Sequence, residues 1–237
     1  KKYCQRKISI GADGILILEN TNYNAANFAM RYFNADGSEA EFCGNGASCL
    51  ALFAYSKRIV SDKMNFVAKS GVIQAEVKNG KVKLRLPNPQ DLRLNFSLKV
   101  NGKNYTFFFV NTGVPHTVHF SRDVDKIDVK GLGQKVRFHK FFQPQGTNVD
   151  FVKVRDKKTI LIRTYERGVE EETLSCGTGV VASAVIAGIK NLVQAPVQVI
   201  TRGGEIFKVY YRCNRGAVKE VYLENSPKFV FEGKIAI

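Results

Sequence analysis

Two cysteines stand at the start of the two most apolar helical segments that the sequence predicts. Cys43 opens the run Cys-Gly-Asn-Gly, and Cys176 opens the run Cys-Gly-Thr-Gly. A helix N-terminus offers free N–H groups and the positive end of the helix dipole, which favour a thiolate and also a carboxylate bound beside it. If both sulfurs face one site, they should share one proton, one as thiolate and one as thiol. A two-base isomerisation at a carbon stereocentre requires that state and needs no cofactor.

A single Cys-Gly-x-Gly before an apolar helix is more often a packed thiol and a tight turn, because free cysteine is among the most buried residue types. The second copy favours the catalytic interpretation. The two motif cysteines are separated by 133 residues (176 minus 43), and the same shift aligns segment 69–71 with segment 202–204. Cysteine is not shared by the two halves generally, since Cys49 falls opposite Ala182. We therefore predict that Cys43 and Cys176 are the catalytic pair.

The hydropathy pattern predicts a sheet-rich α+β fold with few helices. The segments Ala47–Tyr55 and Val180–Ile189 have almost no polar face, so each helix should be covered by protein on all sides. Each half is then a mostly antiparallel or mixed sheet wrapped around one central buried helix. Alternating, β-branched and aromatic residues predict strands at Val72–Val77, Lys81–Leu86, Tyr105–Val110, Val136–Phe142, Val149–Val154, Thr159–Tyr165, Val197–Thr201, Glu205–Tyr211 and Ala217–Leu223.

The long self-similarity, without a third copy, predicts two related domains facing each other across a cleft rather than a solenoid. The run Pro87-Asn88-Pro89 interrupts the strand pattern and marks the boundary. We expect one domain to comprise residues 1–88 plus 225–237 and the other residues 89–224. The first domain has fewer residues before its cysteine than the second has, so we expect its opening strands to be missing from this sequence.

Composition narrows the class of protein. No run of about 18 apolar residues is present, which predicts no membrane span. Five cysteines are an odd number in a chain too long to need disulfides, which favours a soluble protein of the reducing cytoplasm. The sequence contains no Cys-x-x-Cys and only three histidines, so we expect no metal.

The net charge leaves open an alternative of a different class. With 36 Lys and Arg against 21 Asp and Glu, the chain carries a formal charge of +15. That excess is typical of a nucleic-acid-binding protein. However, no basic run of five residues and no zinc-finger, GXXG or RNP-type pattern is present. We expect a solvated basic surface and no nucleic-acid partner.

Several segments together resemble the diaminopimelate epimerase family over essentially the whole chain. In chain order they are Ser9–Gly14, Phe33–Glu39 before Cys43, Gly113–His116, Gly146–Asp150 and Thr164–Val169 before Cys176. The resemblance implies cofactor-independent interconversion of LL- and meso-diaminopimelate in lysine and peptidoglycan precursor synthesis. It also implies that two cysteines from two pseudo-symmetric domains act as the bases, with a small amino acid as partner. A homodimer is one oligomeric state consistent with the sequence.

The resemblance also implies roles for other residues. Substrate carboxylates and amino groups would be held by Asn34, Asn148, Glu166 and Arg167, and the two helix-start carboxylate sites would be Gly44, Asn45, Gly177 and Thr178. The structural alternatives are an Asx turn for Asn34, a turn for Asn148 and a strand-end pair for Glu166 and Arg167. His116 is a candidate for the site lining, although a lone strand-end histidine is more often structural.

Departures from the family pattern and three related groups of enzymes qualify the resemblance. Ser48 stands where the family usually has Arg, and the acidic run 170–172 precedes Cys176, although we expect it to point to solvent. Proline racemases and hydroxyproline epimerases share the two-thiol chemistry, and phenazine-biosynthesis isomerases share the architecture without the thiol pair. Glu166 and Arg167 favour a substrate with a second amino-acid head, which the proline-type enzymes do not require.

Overall fold

The computed structural model describes residues 1–40, 43–214 and 217–235. The chain divides into two compact units. The first consists of Lys1–Arg85 and Glu224–Ile237, and the second of Leu86–Leu223. Strands dominate the described residues, as predicted. The helices found there are not of the length and apolarity needed to cross a membrane.

The first unit is a sheet around one helix. Its elements are β1 (Gly14–Glu19), β2 (Phe28–Asn34), β3 (Glu39–Ala40), α1 (Gly44–Ser56), β4 (Lys63–Ala68), β5 (Gly71–Lys78) and β6 (Lys81–Arg85). The strand order is β1-β2-β4-β5-β6, with β3 paired to β2. The β2–β4 pair is parallel, and the other pairs are antiparallel.

Helix α1 packs against β1, β2, β5 and β6. Its inner side is made of small and apolar side chains, among them Ala47, Leu50 and Ala51, which are almost fully buried. On the parallel pair of strands, the rings of Phe28 and Phe66 stack with centroids 4.9 Å apart. The sheet therefore closes over α1 and fixes the position of its first turn.

The second unit has the larger sheet. Its elements are β7 (Gln90–Val100), β8 (Lys103–Asn111), β9 (Pro115–Phe120), α2 (Val129–Arg137), a short 3-10 helix (Lys140–Phe142), β10 (Asn148–Val154), β11 (Thr159–Glu166), β12 (Glu171–Thr173), α3 (Gly177–Ile189), β13 (Val197–Ile200), β14 (Ile206–Asn214) and β15 (Ala217–Asn225). The strand order is β15-β14-β13-β11-β10-β9-β8-β7, with β12 paired to β11. Parallel pairs join β9 to β10 and β11 to β13.

Helix α3 contacts β8, β9, β10, β11, β13 and β14. Every residue from Gly179 to Ala187 is buried, so the helix has no solvent face in this stretch. A helix that is apolar all round requires this environment. The predicted α+β class with a buried central helix is confirmed.

The duplication that the motifs indicated extends to whole elements. Helices α1 and α3 both have 13 residues, and both their first and their last residues are 133 positions apart (177 minus 44 and 189 minus 56). Gly71 and Gly204, aligned by the same shift, both have positive φ, at 117° and 79°. The predicted hairpin turn at Asn79-Gly80 joins β5 to β6 with positive φ at both residues, as a type I′ turn requires.

One predicted strand is wrong. The alternating pattern at Val136–Phe142 lies on the end of α2 and the following 3-10 helix. Asp128 caps α2, its carboxylate accepting a hydrogen bond from the Gly131 N–H at 2.9 Å. Gly133 lets the helix approach Tyr165 so closely that a Cβ there would lie 2.5 Å from the tyrosine Cβ. Tertiary packing thus places a helix where two glycines lowered the helical signal.

Candidate active site

Cys43 is the N-cap of α1. Its backbone is extended, with φ −140° and ψ 116°, and its sulfur accepts a hydrogen bond from the Gly46 N–H at 3.4 Å. The side chain is half-buried. The Cys43 sulfur thus lies at the positive end of the α1 dipole, next to a backbone N–H.

Tyr32, which the sequence did not single out, lies beside Cys43. Burial raises the pKa of the Tyr32 phenol, and the adjacent charges of Cys43 and Asp13 add to the shift. Tyr32 is two residues before Asn34 on β2, so the two side chains share one face of that strand. This alternation is the only sequence signal that could have connected Tyr32 to the site.

Cys176 occupies the same backbone position at the start of α3, with φ −134° and ψ 107°. Its side chain makes no capping hydrogen bond; instead, the sulfur lies 3.5 Å from the Thr178 hydroxyl. Burial, together with the neighbouring carboxylates of Glu166 and Asp150, raises the pKa of the Cys176 thiol to about 12, against smaller opposing contributions from Thr178 and the Gly179 N–H. Cys176 is therefore held as a thiol.

The fully buried His116, second residue of β9, lies below the first turn of α3. Its Nδ1 is 2.7 Å from the Asp150 carboxylate, and its Nε2 is 2.9 Å from the Thr178 hydroxyl. Asp150 is also fully buried, and its second oxygen accepts a hydrogen bond from the Thr164 hydroxyl at 2.7 Å. A hydrogen-bonded chain thus runs from a buried carboxylate towards the Cys176 sulfur.

Asn148 and Arg167, both predicted to bind substrate, are in contact. Asn148 is the first residue of β10, and its side-chain oxygen accepts the Arg167 backbone N–H at 2.8 Å. Its amide nitrogen donates to the Pro115 carbonyl at 3.0 Å. The Arg167 guanidinium donates to the Gln145 carbonyl at 3.0 Å. These bonds place both residues next to the strand end that carries Glu166 and, through Asn148, next to His116.

Glu166 is the last residue of β11. Burial raises the pKa of its carboxyl group, and the nearby Asp150 adds to the shift, while Thr173 and His116 oppose it. The residue therefore belongs to the same group of interacting polar side chains as Cys176.

The remaining predicted residues lie at the two helix starts and at the end of β2. Gly44 and Asn45 open α1, and Gly177 and Thr178 open α3. The side-chain oxygen of Asn45 is buried and has no hydrogen-bond partner within the described part of the chain. Asn34 ends β2 and donates to the Ser38 hydroxyl at 3.0 Å, as part of a turn.

From the sequence we expected the acidic run before Cys176 to point to solvent. In the structure, each of its carboxylates pairs with a cation. Glu170 pairs with Arg137 at 3.1 Å, and Glu171 pairs with Lys130. Glu172 accepts two hydrogen bonds of 2.7 Å from the partly buried Arg163 guanidinium. Each carboxylate has a cation beside it, and none is among the charges that raise the pKa of Cys176.

Two further points concern the site's surroundings. Ser48, which replaces the family's usual Arg, is buried in α1 and donates back to the Gly44 carbonyl at 3.2 Å. Within residues 1–40, 43–214 and 217–235, His, Cys, Asp and Glu side chains do not form a group of three that could hold a metal ion.

Solved structures of other proteins share this fold. A probable proline racemase from Agrobacterium radiobacter K84 superposes with a TM-score of 0.70 at 14% identity, covering 100% of this chain and 80% of that one. A phenazine biosynthesis protein of the PhzF family from Bacillus anthracis gives a TM-score of 0.74 at 13% identity, covering 96% and 86%. At such identities the likeness shows the fold alone. The chain therefore has the fold of these proteins.

Sequence comparison is more specific than the fold. The model of the diaminopimelate epimerase family matches residues 1–87 and 108–220. Diaminopimelate epimerase from Aquifex aeolicus is 45% identical over 239 residues, covering 100% of this chain and 84% of the relative. The enzyme of that name from a Hydrogenobaculum species is 39% identical, covering 100% and 85%. This chain belongs to the diaminopimelate epimerase family.

Proposed function

We propose that the protein interconverts LL- and meso-2,6-diaminopimelate by proton transfer at the α-carbon, with Cys43 and Cys176 as its two acid/base groups. The observation that carries this proposal is a cysteine at the N-cap of both α1 and α3, in equivalent backbone conformations. The family and the named relatives support the substrate.

The two thiols would divide the work according to their surroundings. Cys43, whose sulfur accepts a backbone N–H, would hold the thiolate and remove the α-proton of one epimer. Cys176, whose pKa is raised by burial and by two carboxylates, would hold the thiol and deliver its proton to the opposite face. The reverse reaction exchanges the roles. Each turnover moves one proton onto the substrate and one off it, so no redox or group-transfer cofactor is required.

The reacting carboxylate would be held at the helix starts. The first N–H groups of a helix have no intrahelical partner, so those of Gly44, Asn45, Gly177 and Thr178 are donors for a bound carboxylate. Charge develops on the carboxylate oxygens when the α-proton leaves, and oriented N–H donors stabilise that charge more strongly in the transition state than in the ground state.

The distal amino-acid head of the substrate would be held by Asn34, Asn148, Glu166 and Arg167. A guanidinium has five donors and suits a carboxylate, and a carboxylate such as Glu166 accepts from an ammonium. The contact of Asn148 with the Arg167 backbone supports a shared role for these two residues. An odd number of cysteines, five in a chain of this length, supports the cytoplasm as location. We assign no nucleic-acid partner.

The decisive experiment uses the reduced protein with LL-diaminopimelate in deuterated water. Deuterium should enter the α-carbon together with inversion, because the proton delivered comes from a thiol in exchange with solvent. Absence of both deuterium incorporation and inversion would reject the proposal. L-proline and hydroxyproline serve as parallel substrates: inversion of either, without reaction of diaminopimelate, would favour the proline-type alternative.

A further inference from the structure

We propose that Asp150 is a positioning residue that acts through His116 and the Thr178 hydroxyl to direct the proton of Cys176. The inference rests on the proposed acid/base role of Cys176. Asp150, His116 and Thr178 belong to three different elements, β10, β9 and α3, that meet below the first turn of α3.

The bonding pattern fixes where the proton of His116 lies. An ionised carboxylate only accepts hydrogen bonds, so Nδ1, at 2.7 Å from Asp150, carries the proton. The other nitrogen, Nε2, must then be an acceptor.

The contacts of Asn148 are independent evidence that His116 Nε2 carries no proton. Its amide nitrogen is identified by donation to the Pro115 carbonyl, and its oxygen by acceptance of the Arg167 N–H. That nitrogen lies 3.4 Å from His116 Nε2. Because an amide nitrogen can only donate, Nε2 carries no proton.

The direction of the chain follows from this tautomer. With Nε2 as acceptor, the Thr178 hydroxyl donates to it at 2.9 Å, and an oxygen lone pair is left for the Cys176 S–H at 3.5 Å. By fixing this tautomer, Asp150 keeps the Thr178 hydroxyl proton on Nε2 and away from the sulfur, which favours the thiol form of Cys176. After Cys176 has given up its proton, the hydroxyl can rotate to donate to the thiolate, and Asn148 still supplies a donor for Nε2. One chain thus serves both protonation states of the sulfur.

Gly179 shows that this close approach is built into the helix. A Cβ at Gly179 would lie 2.5 Å from Asp150 Oδ1 and 3.3 Å from His116 Cε1. Asp150 and His116 can lie against α3 only because position 179 has no side chain.

The test is a double-mutant cycle on the substrate-free, full-length protein. Cysteine labelled with ¹³C at Cβ reports the ionisation of Cys176, its signal assigned with Cys176→Ser. Asp150→Asn should lower the Cys176 pKa by about one unit, which is about tenfold in acidity. Part of that shift is simple loss of charge, so the same substitution is repeated in a Thr178→Val background.

If Asp150 acts through Thr178, its effect on the Cys176 pKa should fall to less than about half in the Thr178→Val background. Equal shifts in the two backgrounds would overturn the proposal, because a through-space charge effect does not require the hydroxyl. The other groups that face Cys176, Glu166 on β11 and His116 on β9, are the same in all four proteins and cancel in the cycle.

A second readout uses ¹⁵N-labelled histidine, since the protein has only three histidines. His116 should show the Nδ1–H tautomer, and Asp150→Asn should shift it towards Nε2–H; an unprotonated Nδ1 in the wild-type protein would reject the hydrogen-bonded chain.

If Asp150→Asn fails to fold, Thr178→Ser and Thr178→Val test the same hydrogen-bonded chain from α3. Serine should keep the wild-type Cys176 titration, and valine should raise the pKa; identical titrations would overturn the proposal. Because no substrate is present, these results are independent of whether the protein is an epimerase.

Discussion

Cys43 and Cys176 have the same type, motif and backbone conformation, yet their electrostatic environments differ. At a helix start, the dipole stabilises a thiolate by about 0.3–2 kcal/mol, which is at most about 1.5 pKa units. At Cys176 this gain is outweighed, since burial and two carboxylates move the pKa from 9.0 to about 12. Cys176 is therefore the protonated member of the proposed pair.

Replacement of either cysteine by serine should abolish most of the turnover. A hydroxyl is a far weaker acid than a thiol, and loss of one general acid/base group typically costs about 10²–10⁴-fold in rate. We expect Cys43→Ser and Cys176→Ser each to lose at least about 10²-fold in kcat, with an unchanged far-ultraviolet circular dichroism spectrum.

The matched control is Cys213→Ser on β14, an exposed free cysteine. It should retain turnover within about twofold of the wild type. A full loss in this variant, or activity retained in either motif variant, would contradict the assignment of the catalytic pair.

The raised pKa of Cys176 also makes stability depend on pH. The folded protein keeps the proton to about 12, whereas the unfolded thiol loses it near 9.0. The contribution is therefore complete below pH 9.0 and is lost as pH rises towards 12. By about pH 10, the wild type should have lost on the order of 1 kcal/mol relative to Cys176→Ala, compared with neutral pH. Urea unfolding of both proteins at the two pH values measures this, and parallel pH dependence would refute it.

Sequence reasoning singled out the two thiols and several neighbours of Cys176, but not Asp150, the partner of His116. Both cysteines could be identified because each begins the same local motif, Cys-Gly-x-Gly. Asp150 and His116 are 34 positions apart, and they meet only because β9 and β10 pair in parallel with Asn148 opposite His116. No local pattern specifies that register, so the partner of His116 could not be read from the sequence.

At the level of elements, segments with one dominant signal were predictable. The helices α1 and α3 were found from their uniform apolarity, although each begins three residues before the predicted start, at the residue after the cysteine. Helix α2 was missed, because Gly131 and Gly133 lower the helical propensity while the buried Tyr165 requires a glycine beside it. Propensity is a weak signal wherever packing decides.

The third residues of α1 and α3 offer a matched pair of substitutions. Alanine in place of glycine in a helix gains up to about 1 kcal/mol. At Gly46 the new Cβ meets the flexible end of Leu16 at 3.0 Å, so we expect Gly46→Ala to remain within about 1 kcal/mol of the wild type. At Gly179 it meets the fully buried Asp150 at 2.5 Å, so we expect Gly179→Ala to cost about 1–3 kcal/mol.

Chemical denaturation of the two glycine variants gives the difference in unfolding free energy. Equal stabilities would show that the Asp150 and His116 side chains can move away from α3, and would weaken the packing argument for Gly179.

At the scale of the whole molecule, the sequence predicted the α+β class through its strand patterns and its duplication. The family became apparent only from the combined segments, since each glycine-rich piece alone is common. The fold by itself would not have separated the candidates, because both proline racemase and PhzF structures superpose well. The residues at positions 34, 148, 166 and 167, rather than the fold, therefore distinguish between the candidate substrates.

The net charge of +15 belongs to the whole chain rather than to a motif. A diffuse positive charge attracts polyanions through counterion release, without base readout, and the attraction weakens steeply with salt. We therefore expect duplex DNA to bind with a Kd of about 10⁻⁴–10⁻⁶ M at physiological salt, irrespective of its sequence, and to dissociate as salt is raised. Fluorescence anisotropy with two unrelated duplexes, alongside the epimerase assay with and without DNA, measures both properties. Binding that resists salt or prefers one duplex would favour a nucleic-acid role, whereas unchanged turnover in the presence of DNA would assign the charge to the solvated surface.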